Sequence, residues 1–212
     1  MKKIFLPLMV VFFAACGETE EVTPSEQVKS EFKFSGPQFN CGELSFSDSL
    51  KSYVNAKFHF ELQLPKSFEV NEYHRPVKGS VDSSFSLFAS GAVDSTFQGM
   101  MPGFGIRVER NLFPVEAALK AAEEKYGVFS QVKILEKGKY KDFHWLLCES
   151  KVKEINEFNP ERIFRIIQLF NKPNSTTLCT ISISEMSGVG KMGICELLPL
   201  IETLKWEKKI VQ

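Results

Sequence analysis

Alternating apolar and polar positions predict that most of this chain forms β-strands. Apolar residues occupy every second position in residues 57–64, and Pro65 follows them as a natural stop. The same alternation, together with stretches that are apolar at successive positions, predicts six further strands. These are residues 84–89, 104–109, 132–136, 142–152, 162–171 and 176–184. The pattern therefore predicts a β-sheet of about six to seven strands.

Two segments change from the strand period to a helical one. Residues 114–126 place apolar side chains on one helical face, with Pro114 suited to the first turn and Gly127 to the end. Residues 194–204 also have an apolar side, and Pro199 should kink that helix or begin a new one. Short turns near residues 138–139, 156–160 and 172–175 favour an antiparallel meander. We therefore predict an α+β fold with helices packed on the faces of an antiparallel sheet.

The remaining segments of the predicted domain are less regular. Residues 38–55 fit a short strand followed by a helical turn, and residues 67–80 fit a loop or an irregular strand. Residues 91–103 are rich in turn-forming residues and lead directly to Phe104. Met100, Met101 and Phe104 form a candidate adaptable contact surface for a partner, the alternative being local packing under the loop.

The first 15 residues have the pattern of a bacterial export signal. Lys2 and Lys3 precede an apolar stretch over residues 4–13, and the small residues Ala14 and Ala15 come just before Cys16. A bilayer-spanning helix needs roughly 20 apolar residues, so a cleaved signal peptide is predicted rather than a membrane span.

The sequence Ala14-Ala15-Cys16 resembles the lipobox of bacterial lipoproteins, with Phe13 where that pattern usually has leucine. The resemblance implies cleavage before Cys16 and lipidation of its thiol, which would anchor the chain to a membrane of the cell envelope. In a bacterium with two membranes, the outer one is favoured. The alternative is an ordinary signal peptide that is cut near a cysteine.

A polar segment follows the predicted lipid anchor. Residues 16–37 have few apolar side chains to bury and carry acidic residues at Glu18, Glu20 and Glu21. Such a composition predicts a flexible tether. The domain boundaries are therefore a signal peptide over residues 1–15, a lipidated tether over 16–37 and one globular domain over 38–212.

The charge balance argues against a nucleic-acid partner. The chain has 26 basic and 26 acidic residues, and two of the lysines lie in the predicted signal peptide. The mature chain is therefore slightly acidic, whereas nucleic-acid binding relies on clustered basic residues.

Four cysteines follow Cys16, at Cys41, Cys148, Cys179 and Cys195. They are candidate disulfide cysteines because the compartment outside the cytoplasm permits disulfides. Four cysteines allow three pairings, and the sequence does not choose between them. Buried free thiols are the alternative. No Cys-x-x-Cys pair occurs, which argues against a zinc ribbon or a thioredoxin-like site.

The sequence contains no catalytic motif that we recognise. Its histidines are His59, His74 and His144, none spaced as a ligand pair on one helix. The glycine-containing residues 187–193 lack phosphate-loop spacing, and no Gly-x-Ser-x-Gly elbow is present. We therefore predict no catalytic residue, no metal site and no cofactor.

The order of the predicted elements resembles the PsbP-like fold family, which includes bacterial DcrB-type lipoproteins. The resemblance covers roughly residues 57–206. It rests on the first strand over residues 58–65, the helix over 114–126, the strands over 162–170 and 177–184, and the closing residues 201–206. It implies an α/β/α sandwich and a binding or assembly role that is mostly non-enzymatic. No binding residue of the family carries over, because no shared site motif is present.

These observations together predict a membrane-anchored envelope lipoprotein that acts as a non-catalytic protein-binding or assembly module. One alternative is a carrier of a small apolar or lipid ligand. Another is an envelope hydrolase whose residues converge only in three dimensions. A cleft that holds a histidine beside a carboxylate, with perturbed pKa values, would favour the hydrolase. A closed apolar cavity of several hundred Å³ would favour the carrier, and a convex domain without pockets but with an exposed apolar patch would favour the protein-binding module.

Overall fold

A seven-stranded antiparallel sheet forms the centre of the protein. The computed structural model describes residues 27–36, 39, 41–76, 83–90, 103–129, 131–152, 162–188 and 192–207. The strand order of the central sheet is β5-β6-β7-β11-β10-β9-β8. Its strands are β5 (Glu69–Pro76), β6 (Ser83–Ser90), β7 (Gly103–Arg110), β8 (Val132–Tyr140), β9 (Phe143–Val152), β10 (Arg162–Asn174) and β11 (Thr177–Met186). The prediction of an antiparallel sheet of about seven strands is confirmed.

Smaller elements lie beside the central sheet. One is a three-stranded sheet of order β12-β4-β3, and another is the pair β1-β2. Their strands are β1 (Val28–Ser30), β2 (Leu44–Phe46), β3 (Leu50–Asn55), β4 (Phe60–Pro65) and β12 (Lys205–Trp206). The described chain has two α-helices, α1 (Val115–Gly127) and α2 (Ile194–Leu197), and one 3₁₀ helix (Leu198–Thr203). The protein is therefore mainly sheet.

Two apolar clusters hold these elements together. In the larger, side chains of the central sheet pack with residues of β2, β4, α2 and the 3₁₀ helix; Phe85, Phe104 and Ile181 are fully buried in it. In the smaller, Leu146, Cys148, Phe170 and Leu178 pack against apolar residues of α1. The burial of apolar surface in both clusters supplies the main stabilisation of the fold.

Residues 28–34, which lie within the predicted tether, belong to the folded domain. Val28–Ser30 pairs with Leu44–Phe46, and Phe32 is buried against Trp145, with ring centroids 5.1 Å apart. The predicted tether over residues 16–37 is therefore too long at its C-terminal end, because Phe32 is buried against the sheet and Phe34 packs half-buried beside it.

Several other predicted elements need correction. Residues 38–55 contain two strands and no helical turn among their described residues, and residues 67–80 include the regular strand β5. The predicted closing helix is only four α-helical residues before the 3₁₀ helix that contains Pro199. The turn predicted at residues 138–139 is wrong, because β8 continues to Tyr140 and the chain turns at Lys141. The turn predicted at 156–160 lies outside the described residues.

Candidate functional site

Two clefts meet at Trp206, at one end of the central sheet. The larger has a volume of about 480 Å³ and the smaller about 210 Å³, and Trp206 lines both. The walls come from turns that are distant in sequence. They include the turn between β3 and β4, the turn between β8 and β9, and the turn between β10 and β11.

The larger cleft contains a histidine paired with a carboxylate. His59 Nδ1 lies 3.1 Å from an Oε2 of Glu207, and both side chains are largely exposed. Hydroxyl and amide groups of the β10–β11 turn also line this cleft. The lining residues are Lys57, Phe58, His59, Pro173, Asn174, Ser175, Thr176, Thr177, Trp206 and Glu207. This cleft combines aromatic faces with many polar groups, as small-ligand and peptide sites do.

The hairpin between β3 and β4 positions His59. The side-chain oxygen of Asn55 accepts a hydrogen bond from the backbone N–H of Phe58 at 2.9 Å, which closes an Asx-type turn. His59 has a φ of 56°, a left-handed conformation that a non-glycine residue rarely adopts. Its carbonyl accepts a hydrogen bond from the backbone N–H of Glu207 at 2.8 Å. The hairpin and the end of β12 therefore hold the pair together.

Two exposed apolar side chains lie beside the larger cleft. Leu112 is 66% exposed and Phe113 is 70% exposed, in the connection between β7 and α1. Lys172 fixes this connection, because its ammonium group donates to the carbonyl oxygens of Phe113 at 2.7 Å and of Ser175 at 3.1 Å. Ser175 lines the cleft. Lys172 therefore ties the backbone of the exposed pair to a turn that lines the cleft. We name the exposed pair and the larger cleft together the rim surface.

The smaller cleft is organised around Glu202. One carboxylate oxygen of Glu202 accepts hydrogen bonds from the Ser30 and Tyr140 hydroxyl groups, each at 2.7 Å, and the other forms an ion pair with Lys141. Burial raises the pKa of Glu202, but the hydrogen bonds from Lys141, Ser30 and Tyr140 outweigh it and hold the pKa below its usual value. The bond to Glu202 raises the pKa of Lys141. Glu202 thus connects β1, the β8–β9 turn and the 3₁₀ helix.

A strained residue stands at each cleft. Lys141 has a φ of 50°, and it is the only described non-glycine residue besides His59 with a positive φ. Such conformations cost of order 1–3 kcal/mol and concentrate at functional positions. The two occurrences support a functional role for this end of the sheet.

The cysteines are divided between one disulfide and two free thiols. Cys41 and Cys195 are bonded, with an S–S distance of 2.07 Å, which joins the N-terminal segment to α2. Cys148 and Cys179 are free and buried. They cannot pair, because β10 separates their strands and their side chains pack in different apolar clusters. The prediction that Cys148 and Cys179 are disulfide cysteines is therefore wrong. Burial raises the pKa of both thiols, for Cys148 to about 12.

The predicted partner-binding residues do not form a surface in the described structure. Met100 and Met101 lie outside the described residues, as do Cys16 and the predicted signal peptide. Phe104 is fully buried in β7, because its position in the alternating strand faces the core, so the expectation that it contacts a partner is wrong. Leu112, Phe113 and the clefts were not identified as candidate sites from the sequence. The available signal for Leu112 and Phe113 was a pair of adjacent apolar residues just before the predicted helix.

His59 and His144 pair with different carboxylates. His144 Nε2 lies 3.5 Å from a Glu116 carboxylate oxygen, whereas His59 pairs with Glu207, and the His74 side chain is outside the described part. Among the residues that the structure describes, no group of three histidine, cysteine or acidic side chains is placed to hold a metal ion.

Comparisons with protein-family models, with curated proteins and with solved structures found no match. Within the described ranges, no helix combines the length and the apolar character needed to cross a membrane.

Proposed function

We propose that this chain is a bacterial envelope lipoprotein, anchored to a membrane through lipid on Cys16, and that its domain is a non-catalytic module that binds an envelope protein. The observation that carries the proposal is the rim surface. Leu112 and Phe113 are large, adjacent and exposed, and exposed apolar pairs beside a cleft are typical of contact sites.

We also propose that the sheet and the helices form a PsbP-like α/β/α sandwich. Contacts of α1 with the Leu146, Cys148 and Phe170 side chains support a helical layer on one side of the sheet. The short α2 and the 3₁₀ helix, packed in the larger cluster, support a second layer. A binding role agrees with such a fold, since the family resemblance implies assembly rather than catalysis.

The rim surface provides an anchor of the type that dominates protein interfaces. An aromatic side chain that is exposed in the free protein and inserted into a partner contributes most of the binding free energy in many complexes. Lys172 pre-orders this anchor by holding the Phe113 and Ser175 carbonyls. Pre-ordering reduces the entropy lost on binding.

Site-specific photo-cross-linking in intact cells tests the proposal. A benzophenone amino acid at position 112 should give a discrete cross-linked protein product. The matched control is the same amino acid at position 128, because Val128 is 81% exposed at the opposite end of α1. Equal cross-linking from both positions, or none from position 112, would contradict a protein-binding role of the rim surface.

The lipid anchor has its own test. Mass spectrometry of the membrane fraction should find an acylated Cys16 at the mature N-terminus, and Cys16→Ala should release the domain from the membrane. Two or more acyl chains are needed for stable anchoring, since each buried methylene contributes about 0.8 kcal/mol. A soluble wild-type chain with an unmodified thiol would exclude the anchor.

A second candidate function, an envelope hydrolase, rests on His59 and Glu207 in the larger cleft. A histidine oriented by a carboxylate can serve as a general base. His59→Asn is the suitable variant, because asparagine tolerates the left-handed backbone of position 59. Hydrolysis of ester or glycoside substrates by the wild type and its loss in this variant would support the hydrolase, and activity unchanged by the variant would exclude this pair.

A further inference from the structure

The smaller cleft contains a buried acceptor that lacks a hydrogen-bond partner. Asn171 lines the cleft from β10 and is only 7% exposed, and its Oδ1 atom has no partner in the described structure. Asn55, equally buried at 8%, differs, because its oxygen accepts from Phe58 and its nitrogen donates to Tyr53. Buried polar groups are nearly always paired, so Asn171 requires an explanation.

The charges of the cleft favour a cationic ligand. Asp142 and Glu202 contribute two carboxylates and Lys141 one ammonium group, which leaves a net charge of −1. Lys141 is already engaged with Glu202. A carboxylate has about four acceptor positions, and Glu202 uses three of them, for Ser30, Tyr140 and Lys141. One position on Glu202 therefore remains, in the cleft that Asn171 also lines.

The rest of the wall is apolar and aromatic. Phe143, Ile201, Leu204 and Trp206 line the cleft together with the polar groups. Aromatic faces attract cations and pack against alkyl stems. The volume of about 210 Å³ corresponds to roughly seven water molecules. This is room for one ammonium group and a short alkyl stem.

We infer that the smaller cleft is a binding site for a primary ammonium group on a short alkyl stem. Asn171 Oδ1 and the free position on Glu202 accept hydrogen bonds from the ammonium, and Trp206 and Phe143 contact the stem. In the free structure this oxygen is buried, and because the terminal torsion of asparagine is broad, binding would require the carboxamide to rotate its oxygen into the cleft. This site shares Trp206 with the larger cleft of the rim surface, but it does not depend on the proposed function.

A free alkylamine and a lysine side chain of a partner share this chemistry. The primary test measures binding of n-butylammonium chloride and of n-butanol to the full-length chain by NMR, following the Trp206 indole and Asn171 side-chain signals. We expect the ammonium to bind at least tenfold more tightly than the alcohol of similar shape. Capped Gly-Lys-Gly and Gly-norleucine-Gly peptides form the second arm. Binding of the lysine peptide identifies a lysine side chain as the source, and binding of butylammonium alone identifies a free amine.

Asn171→Leu distinguishes a binding role from a structural one. The variant keeps the side-chain shape and removes the unpaired oxygen, so it should raise the melting temperature while weakening butylammonium binding about tenfold or more. Asp142→Asn, at an exposed position, provides a second variant that preserves the fold and should weaken binding several-fold. Asp48→Asn removes the same charge outside the cleft and should leave binding unchanged.

Three results would overturn the proposed ammonium site. If butylammonium and butanol bind equally weakly, or if Asn171→Leu and Asp142→Asn both leave ammonium binding unchanged, the inference is wrong. A rise in melting temperature of Asn171→Leu without weaker ammonium binding would also overturn the inference, because Asn171 would then be an unpaired structural group and not a ligand.

Discussion

Gly138→Ala should destabilise the fold, because Gly138 lies against the indole ring of Trp145. A Cβ atom at position 138 would lie 2.9 Å from Cζ2, 3.0 Å from Cε2 and 3.1 Å from Nε1 of that ring. Optimal separations between carbon atoms are about 3.5–4.0 Å. Either the ring or strand β8 must therefore move to accept the methyl group.

The ring has little freedom to move. Trp145 is 3% exposed, and its centroid lies 5.1 Å from that of Phe32 and 5.7 Å from that of Phe34. Overpacking of such a site costs about 1–3 kcal/mol, whereas replacing glycine by alanine in a strand otherwise gains about 0.5–1 kcal/mol. The expected net loss is up to about 2.5 kcal/mol, centred near 1 kcal/mol, or a melting temperature lower by up to about 10 °C.

Gly127→Ala is the matched control for this substitution. Gly127 is the last residue of α1, and a Cβ atom there would meet nothing within 4 Å. The same chemical change should therefore leave stability unchanged or raise it by about 0.4–1 kcal/mol. Urea unfolding followed by tryptophan fluorescence and circular dichroism measures both variants. A Gly138→Ala protein as stable as the wild type would refute the packing argument.

Three further predictions concern the cysteines and Glu202. The double variant Cys41→Ser/Cys195→Ser should lose about 2–5 kcal/mol in urea unfolding, because the disulfide spans 154 residues; reductant should destabilise the wild type and not this variant. Burial holds the pKa of Cys148 and Cys179 high, so iodoacetamide at pH 8 should modify them only after unfolding, and rapid native modification would contradict their burial. Glu202→Gln should cost about 1–3 kcal/mol near pH 7. Because folding lowers the pKa of Glu202, its carboxylate contributes fully to the free energy of unfolding above the ordinary pKa of 4.5. This contribution is lost as the pH falls through the pKa of the folded state. A difference in unfolding free energy between wild type and variant that grows on acidification would contradict the ion pair.

The sequence predicts the strands that carry a regular alternation. Strands β6, β7 and β9–β11 lie where the pattern places them, and so does α1, because burial on one face imposes the period directly. The turn predicted at Gly138 fails for a tertiary reason. This glycine admits the Trp145 ring within the strand, and the true turn uses Lys141 in a conformation that lysine rarely adopts.

The clefts could not be predicted, because no local pattern marks them. Their walls combine turns separated by more than 100 residues, such as those at His59 and Thr176. In the sequence, Asn171 follows the apolar residues of the predicted strand 162–171 and resembles an ordinary residue at the start of a turn. The disulfide pairing could not be predicted either. A compartment outside the cytoplasm permits all three pairings of four cysteines, and only the contact between Cys41 and α2 in the structure selects one.

The position of β1 (Val28–Ser30) in the fold changes the geometry of the proposed membrane anchor. A tether from Cys16 to residue 37 would extend to at most about 75 Å, whereas one that ends at Val28, the start of β1, reaches about 40 Å. The disulfide from Cys41 to α2 and the hydrogen bond from Ser30 to Glu202 keep this shorter tether from lengthening. Ser30 and the smaller cleft also share Glu202. If Cys16 carries lipid, the exit of the tether and the smaller cleft therefore lie at the same part of the domain, and a ligand there would bind close to where the chain departs for the membrane.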